Sequence, residues 1–245
     1  NDARIEASNI DSDLPDDELD TYGNVTLQRV DSLSITNSQI NTSTESGIAG
    51  SIRVNPDQPA AQSIVLSGTD SSDSSQGGII AEATAGGNAR NISLNTRNLS
   101  VSDGAEITAS SSSLGEEDAS EGTAGNVDII SRTIRLDNGR IATTNENADT
   151  PSTLGNIRLQ DVSLLEADNS STIEASTQTG VAGNVSINQT GAAANEVNLT
   201  SHSAIQATAN EAGGSAGTVA IRARDINVRN NSSIATSNIS STTSG

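Results

Sequence analysis

One short phrase recurs along this chain, and its spacing limits the architectures open to it. A glycine, most often followed by asparagine, precedes an apolar-x-apolar triplet at Gly23-Asn24-Val25-Thr26-Leu27, Gly50-Ser51-Ile52-Arg53-Val54, Gly125-Asn126-Val127-Asp128-Ile129, Gly155-Asn156-Ile157-Arg158-Leu159, Gly183-Asn184-Val185-Ser186-Ile187 and Gly217-Thr218-Val219-Ala220-Ile221. Gly87-Asn88 reads as a further start, which puts the separations at 27, 37, 38, 30, 28 and 34 residues. A phrase repeated at such intervals marks a chain built from stacked units, none of which buries its apolar face alone.

Each unit continues with two more alternating pieces. After Val127-x-Ile129 come Ile134-x-Leu136 and Ile141; after Val219-x-Ile221 come Ile226-x-Val228 and Ile234. Period-two alternation over so few residues predicts short strands with one buried face. No stretch sustains the i, i+3, i+4, i+7 pattern of a helix, and the apolar positions are rich in β-branched residues. The connectors DNG (137–139), SDG (102–104) and RNNSS (229–233) are turn chemistry. We therefore expect an all-β parallel solenoid of three short strands per coil and about seven to eight coils, with starts near 23, 50, 87, 125, 155, 183 and 217. Residues 1–245 read as a single domain cut from a longer array, with 1–22 forming a partial coil that carries an acidic loop.

Composition fits an interior of that kind. There is no Phe, Trp, Met or Cys, and Tyr22 is the one aromatic residue. Large globular cores use aromatic bulk to fill irregular space, whereas stacked coils at about 4.8 Å repeat one aliphatic shape over another. Asparagine at 24, 88, 126, 156 and 184 is expected to form a structural ladder: amides at equivalent corners hydrogen-bond along the axis, with Ser51 and Thr218 interrupting the series.

A net charge of −19, with every positive side chain an Arg, repels nucleic acid and anionic membrane surfaces. No apolar run is long enough to span a membrane, and Asn1 does not open a signal peptide. We expect no nucleic-acid partner, no membrane insertion and no cofactor.

The phrase AGNV-x-I, with SLSITNSQINTSTESGIAGSIRV (32–54) and GAEITASSS (104–112), resembles the repeat regions of filamentous-haemagglutinin-like exoproteins of the two-partner secretion family, in their cyanobacterial form. The similarity covers roughly 23–245 and rests on recurrence, because each motif is degenerate; the secretion motif of that family's N-terminus is not recognisable. The resemblance implies a right-handed parallel β-helix, an extracellular or cell-surface location, and a role in adhesion or surface filaments. The partners it implies are further repeats or copies of the same protein end to end, together with surface glycans or other cells.

Site chemistry is sparse. Asp11, Asp13, Asp16, Asp17, Glu18 and Asp20 offer the oxygen ligands calcium takes, but without EF-hand spacing or a glycine-rich nonapeptide, so a solvated acidic loop is the plainer reading. His202, the single histidine, occupies a turn position filled by Asn or Asp-Gly in other units. Asp128, Asp161 and Asp225 lie near strands, and a polysaccharide lyase or hydrolase is the enzymatic rival, supported by fold analogy alone. Thr26, Thr108, Thr143 and Thr200 do not repeat at one equivalent position, which argues against a flat ice-binding face. The polar excursions at 55–62, 67–78, 110–124 and 210–216 are expected to be surface loops. No catalytic constellation emerges, and we expect a non-catalytic rod-forming module. A carbohydrate-active enzyme and a self-assembling filament subunit are the alternatives.

Overall fold

The computed structural model describes residues 4–6, 23–45, 47–68, 77–84, 87–112, 122–147, 155–210 and 214–238. All regular structure in them is β, every strand pairing is parallel, and no helix occurs among the described residues. The chain is a parallel β-solenoid.

The recurrent triplets form one line of pairing: β2 (Val25–Leu27), β5 (Ile52–Val54), the first part of β8 (Ile92–Ser102) and of β10 (Val127–Asp137), β12 (Ile157–Gln160), β15 (Val185–Ile187) and β18 (Val219–Ile221). A second line runs through β3 (Ser32–Thr36), β6 (Ser63–Ser67), the later parts of β8 and β10, β13 (Leu164–Asp168), β16 (Ala194–Leu199) and β19 (Ala223–Val228). Because β8 and β10 each belong to both lines, the two merge into one twelve-stranded sheet. An eight-stranded sheet holds β1 (Arg4–Glu6), β4 (Gln39–Asn41), β7 (Gly78–Ile80), β9 (Glu106–Thr108), β11 (Arg140–Asn147), β14 (Thr172–Thr179), β17 (Ala204–Ala209) and β20 (Ser233–Asn238).

Backbone chirality accounts for the break at the first corner in four units, while β18 and β19 part at Arg222 without a positive φ. Arg29, Asn55, Asp161 and Asn188 adopt positive φ between the first and second pieces of their units, turning the chain. Units 92–102 and 127–137 hold no positive-φ residue before their ends, and each runs on as one 11-residue strand. At the next corner the turn is made by Asn37, Asp103-Gly104, Asn138, Asn169-Ser170, Ser201-His202 and Asn230-Asn231, all at positive φ. Asn, Asp and Gly are the residues that occupy this region at least cost.

Registration of the interior is strict. Val127 pairs with Ile157, Ile157 with Val185, and Val185 with Val219. In the eight-stranded sheet one interior row is isoleucine throughout: Ile5, Ile40, Ile79, Ile107, Ile141, Ile173, Ile205 and Ile234. From Ile40 to Ile205 these side chains are essentially inaccessible. Identical shapes stacked in register at the strand spacing fill a regular interior, so no ring is needed to fill the space.

About five turns are enclosed, with paired neighbours on both sides, which is fewer than the seven to eight coils expected. The difference lies in the outermost described layers, which have a neighbour on one side. In the last of them Ile226, Val228 and Ile234 are 46%, 41% and 37% exposed.

One expected unit start is misplaced. Ile92, not Ala89, pairs with Val127 and Ile52, so the corner asparagine of that unit is Asn91 and the glycine position is held by Arg90. Asn88 lies three residues earlier. There its Oδ1 accepts from the Thr123 backbone N–H at 3.0 Å and from the Thr123 hydroxyl at 2.7 Å. The excursion at 55–62 also departs from a plain surface loop: Asn55 and Ala61 are buried, and Ala61 N–H donates to the Asn95 carbonyl at 3.0 Å. The acidic residues Asp11, Asp13, Asp16, Asp17, Glu18 and Asp20 lie outside the described residues.

Candidate functional site

The corner asparagines carry the regular polar order of the fold. Asn126 N–H donates to Asn91 Oδ1 at 2.9 Å, Asn156 N–H to Asn126 Oδ1 at 2.9 Å, Asn184 N–H to Asn156 Oδ1 at 3.0 Å, and Thr218 N–H to Asn184 Oδ1 at 2.8 Å. The side-chain nitrogens of Asn156 and Asn184 donate in the same direction at 3.1 Å each. Asn24 accepts from Ser51 N–H at 2.8 Å. Each amide thus satisfies a backbone donor at a bend, where the ladder of strand hydrogen bonds begins. Asn88 is not on this line. Every asparagine on it directly precedes the first apolar residue of its unit, a signal that distinguishes Asn91-Ile92 from Asn88-Ala89.

A cluster of charged and amide side chains lies elsewhere, on the outer face of the second pairing line. Interior residues alternate with outward ones there, and parallel register stacks the outward ones into rows. Arg135, Glu166, Asn198 and Asn227 form one row. Asp137 and Asp168 are paired in the next, toward the corner, where Thr200 and Arg229 follow β16 and β19. Together with Glu196 these side chains line a groove of about 500 Å³, floored in part by Leu136 and Ala167.

Most polar groups in the groove are pinned. Arg135 Nε donates to Glu166 Oε2 at 2.7 Å in a half-exposed ion pair. Asn227 Nδ2 donates to Asn198 Oδ1 at 2.9 Å and to Glu196 Oε1 at 3.3 Å. Asp168 Oδ1 accepts from the Thr200 hydroxyl at 2.6 Å and from the Asn169 backbone N–H at 2.8 Å, and Asn169 Nδ2 donates to Asp137 Oδ1 at 2.6 Å. The Thr200 hydroxyl first, then Ser201 and the Asn169 N–H, hold the Asp168 carboxyl below the usual carboxylate range. Asp168 is therefore an acceptor at neutral pH and no general acid. Among the described residues Asn198 Nδ2 and Asn227 Oδ1 take no protein partner, and Arg229 makes no ion pair.

A second, smaller hollow of about 330 Å³ lies on the eight-stranded sheet, lined by Glu82, Glu106, Arg140 and short hydroxyl side chains. Arg140 reaches Glu106 Oε2 at 3.1 Å and Glu174 Oε2 at 3.9 Å. Burial first, then the neighbouring Glu106 charge, pushes the Glu82 carboxyl above the usual glutamate range, against the opposing pull of Arg140.

The other sequence candidates are dispersed. His202 is exposed at its turn with φ 68°, its Nε2 3.3 Å from Asn231 Nδ2. Asp128 pairs with Arg158 at 3.1 Å on the first line, Asp161 sits at an exposed corner, and Asp225 lies on β19. None of these carboxylates lines either hollow. Thr143 is buried and donates to the Gly155 carbonyl at 2.5 Å, while Thr200 serves Asp168. No group of three or more acidic or histidine side chains suited to a metal ion occurs among the described residues. The sequence reading did not single out this groove; its only trace there is a polar residue between two apolar ones in four successive units, Ile134-Arg135-Leu136, Leu165-Glu166-Ala167, Val197-Asn198-Leu199 and Ile226-Asn227-Val228. Comparison with family models, with curated proteins and with solved structures finds no match.

Proposed function

We propose that this chain is a non-catalytic structural and adhesive rod module of an extracellular or cell-surface exoprotein, of the filamentous-haemagglutinin-like kind that its repeats resemble. The observation that carries the reading is the unbroken interior register, above all the eight-isoleucine row, which makes stiffness a property of repetition along an axis. The coil takes a right-handed path with three strands per turn. The strong preference of parallel crossovers for that hand supports this, as do the two positive-φ corners that divide the units starting at 23, 155 and 183 into three pieces. Further repeats of the same protein, or a second copy, stack on the layer that exposes Ile226, Val228 and Ile234.

Immunogold labelling of intact cells that make the protein tests the location: label on the outer surface is the expected result, and label only after permeabilisation refutes the reading. A carbohydrate-active enzyme is the second reading, and the hollow at Glu82 favours it, because a carboxyl pushed up by burial there lies beside the Arg140–Glu106 ion pair. Release of reducing ends from any polysaccharide, abolished by Glu82→Gln, decides for that alternative.

A further inference from the structure

We propose that the groove of Arg135, Glu166, Asp168, Asn198, Thr200 and Asn227 binds an extended neutral glycan lying along the solenoid axis, an inference that rests on the adhesive reading and names its ligand class. Three features of the groove point to this ligand. The first is periodicity. Successive coils repeat at about 4.8 Å, close to the length of one sugar unit in an extended chain, so successive rings meet the outward rows in nearly equivalent positions. The second is the donor and acceptor set. Among the described residues Asn198 Nδ2 and Asn227 Oδ1 take no partner and Arg229 makes no ion pair, and the Asp168 carboxylate is fixed by Thr200 and Asn169. Amides, a guanidinium and ionised carboxylates held in place suit pairs of adjacent hydroxyls, and groups already ordered lose little entropy on binding.

The third feature is charge. Four carboxylates, Asp137, Glu166, Asp168 and Glu196, face two guanidiniums, Arg135 and Arg229, inside a chain of net charge −19. That field repels uronates and sulfated or phosphorylated chains, which leaves an uncharged polyol as the ligand. No aromatic residue lines the groove to stack on a sugar ring. A single groove therefore binds weakly, and adhesion gains strength from repeated modules on one rod.

The test titrates the intact chain with neutral hexasaccharides of β-1,4-glucan, β-1,4-mannan and β-1,4-xylan, and with a galacturonate hexamer, following backbone amide shifts by NMR. The expected result is saturable binding of at least one neutral hexasaccharide with shifts centred on Asn198, Thr200 and Asn227. That binding persists in about 0.5 M salt, because no ion pair is screened, while the galacturonate hexamer binds no more tightly. Asn198→Leu combined with Asn227→Leu weakens the interaction at least about tenfold, the cost of leaving sugar hydroxyls unpaired, and Asp128→Asn on the other pairing line leaves it unchanged. If the leucine pair unfolds, Asn198→Asp replaces it: it removes the donor, keeps the size and is expected to weaken binding in the same way. Absence of binding by all three neutral sugars, preference for the galacturonate hexamer, or equal binding by the groove variants overturns the proposal. Surface labelling of cells is scored without sugar, so a groove that binds nothing leaves the rod reading standing. An intracellular label sinks the rod reading and leaves the sugar titration valid.

Discussion

Two buried asparagines show how single residues close the corners of this fold. Asn188 Oδ1 accepts from Val162 N–H at 3.0 Å and its Nδ2 donates to the Val162 carbonyl at 2.7 Å; Asn55 makes the same pair of bonds to Val30 at 2.9 and 2.7 Å. Each side chain acts as a missing strand edge for the coil before it, and each also adopts the positive φ that bends its own chain. Asn188→Ala leaves a backbone donor and an acceptor unpaired at a buried site, which costs about 3 kcal/mol. Asn198→Ala, on a half-exposed row, is expected to cost less than about 1 kcal/mol. Urea midpoints of the two variants check this ordering, and equal losses contradict it. Glu82 supplies a prediction of opposite sign. Its carboxyl titrates higher in the folded chain than its ordinary 4.5, so the native state binds more protons and its ionised form is a cost that persists above the folded value. Glu82→Gln therefore raises the midpoint at pH 7 and has little effect once the pH falls to the ordinary glutamate range; a variant less stable at neutral pH refutes the sign.

At the scale of the element, position along the stack decides what an identical residue is worth. Ile173 is fully buried between Ile141 and Ile205, whereas Ile234 has one neighbour and is 37% exposed. Ile173→Ala is expected to cost about 3 to 4 kcal/mol by loss of transfer energy plus a cavity that the rigid coils on either side do not fill. Ile234→Ala costs about 1 kcal/mol or less, and thermal denaturation of the pair measures the ratio. The repeat made an all-β parallel stack and its buried faces legible in the sequence, because the apolar-x-apolar triplets recur unit after unit, whereas the unbroken strands of 92–102 and 127–137 were not foreseen. What it hid follows from the same physics. Gly87-Asn88 imitates a unit start three residues early, yet it is Ile92, after Asn91, that joins the interior row. The recurrent glycine turned out to answer to close approach: a Cβ on Gly183 would overlap the Gly155 carbonyl, and one on Gly217 the Gly183 carbonyl. The groove is built from residues about 30 positions apart that become neighbours only through register. A single unit shows one polar residue and no site.

For the molecule as a whole, charge and hydrogen bonding pull the pH dependence in opposite directions. At pH 7 the net charge of −19 makes the compact state repel itself, and acidification relieves that repulsion as carboxylates begin to protonate. Glu82 works in the same sense, since protonation removes the cost of its burial. Asp168 works against both. Its carboxyl is held below its ordinary 3.8, so the unfolded chain takes up the proton first; its contribution is intact above that value and is lost as the pH falls through the lower folded one. The half-exposed pairs Arg135–Glu166 and Arg158–Asp128 need ionised carboxylates too, though exposure makes each worth little. Stability is therefore expected to rise from pH 7 into mild acid, peak between about pH 4 and 6, and fall below that window. Salt substitutes for the first half of this curve by screening surface charges at about 10 Å in 0.1 M electrolyte. Added NaCl should accordingly raise the urea midpoint at pH 7 and change it little near the optimum. A maximum at or above pH 7, or loss of stability on adding salt at neutral pH, would show that the field of the acidic surface is not what limits the stacked coil.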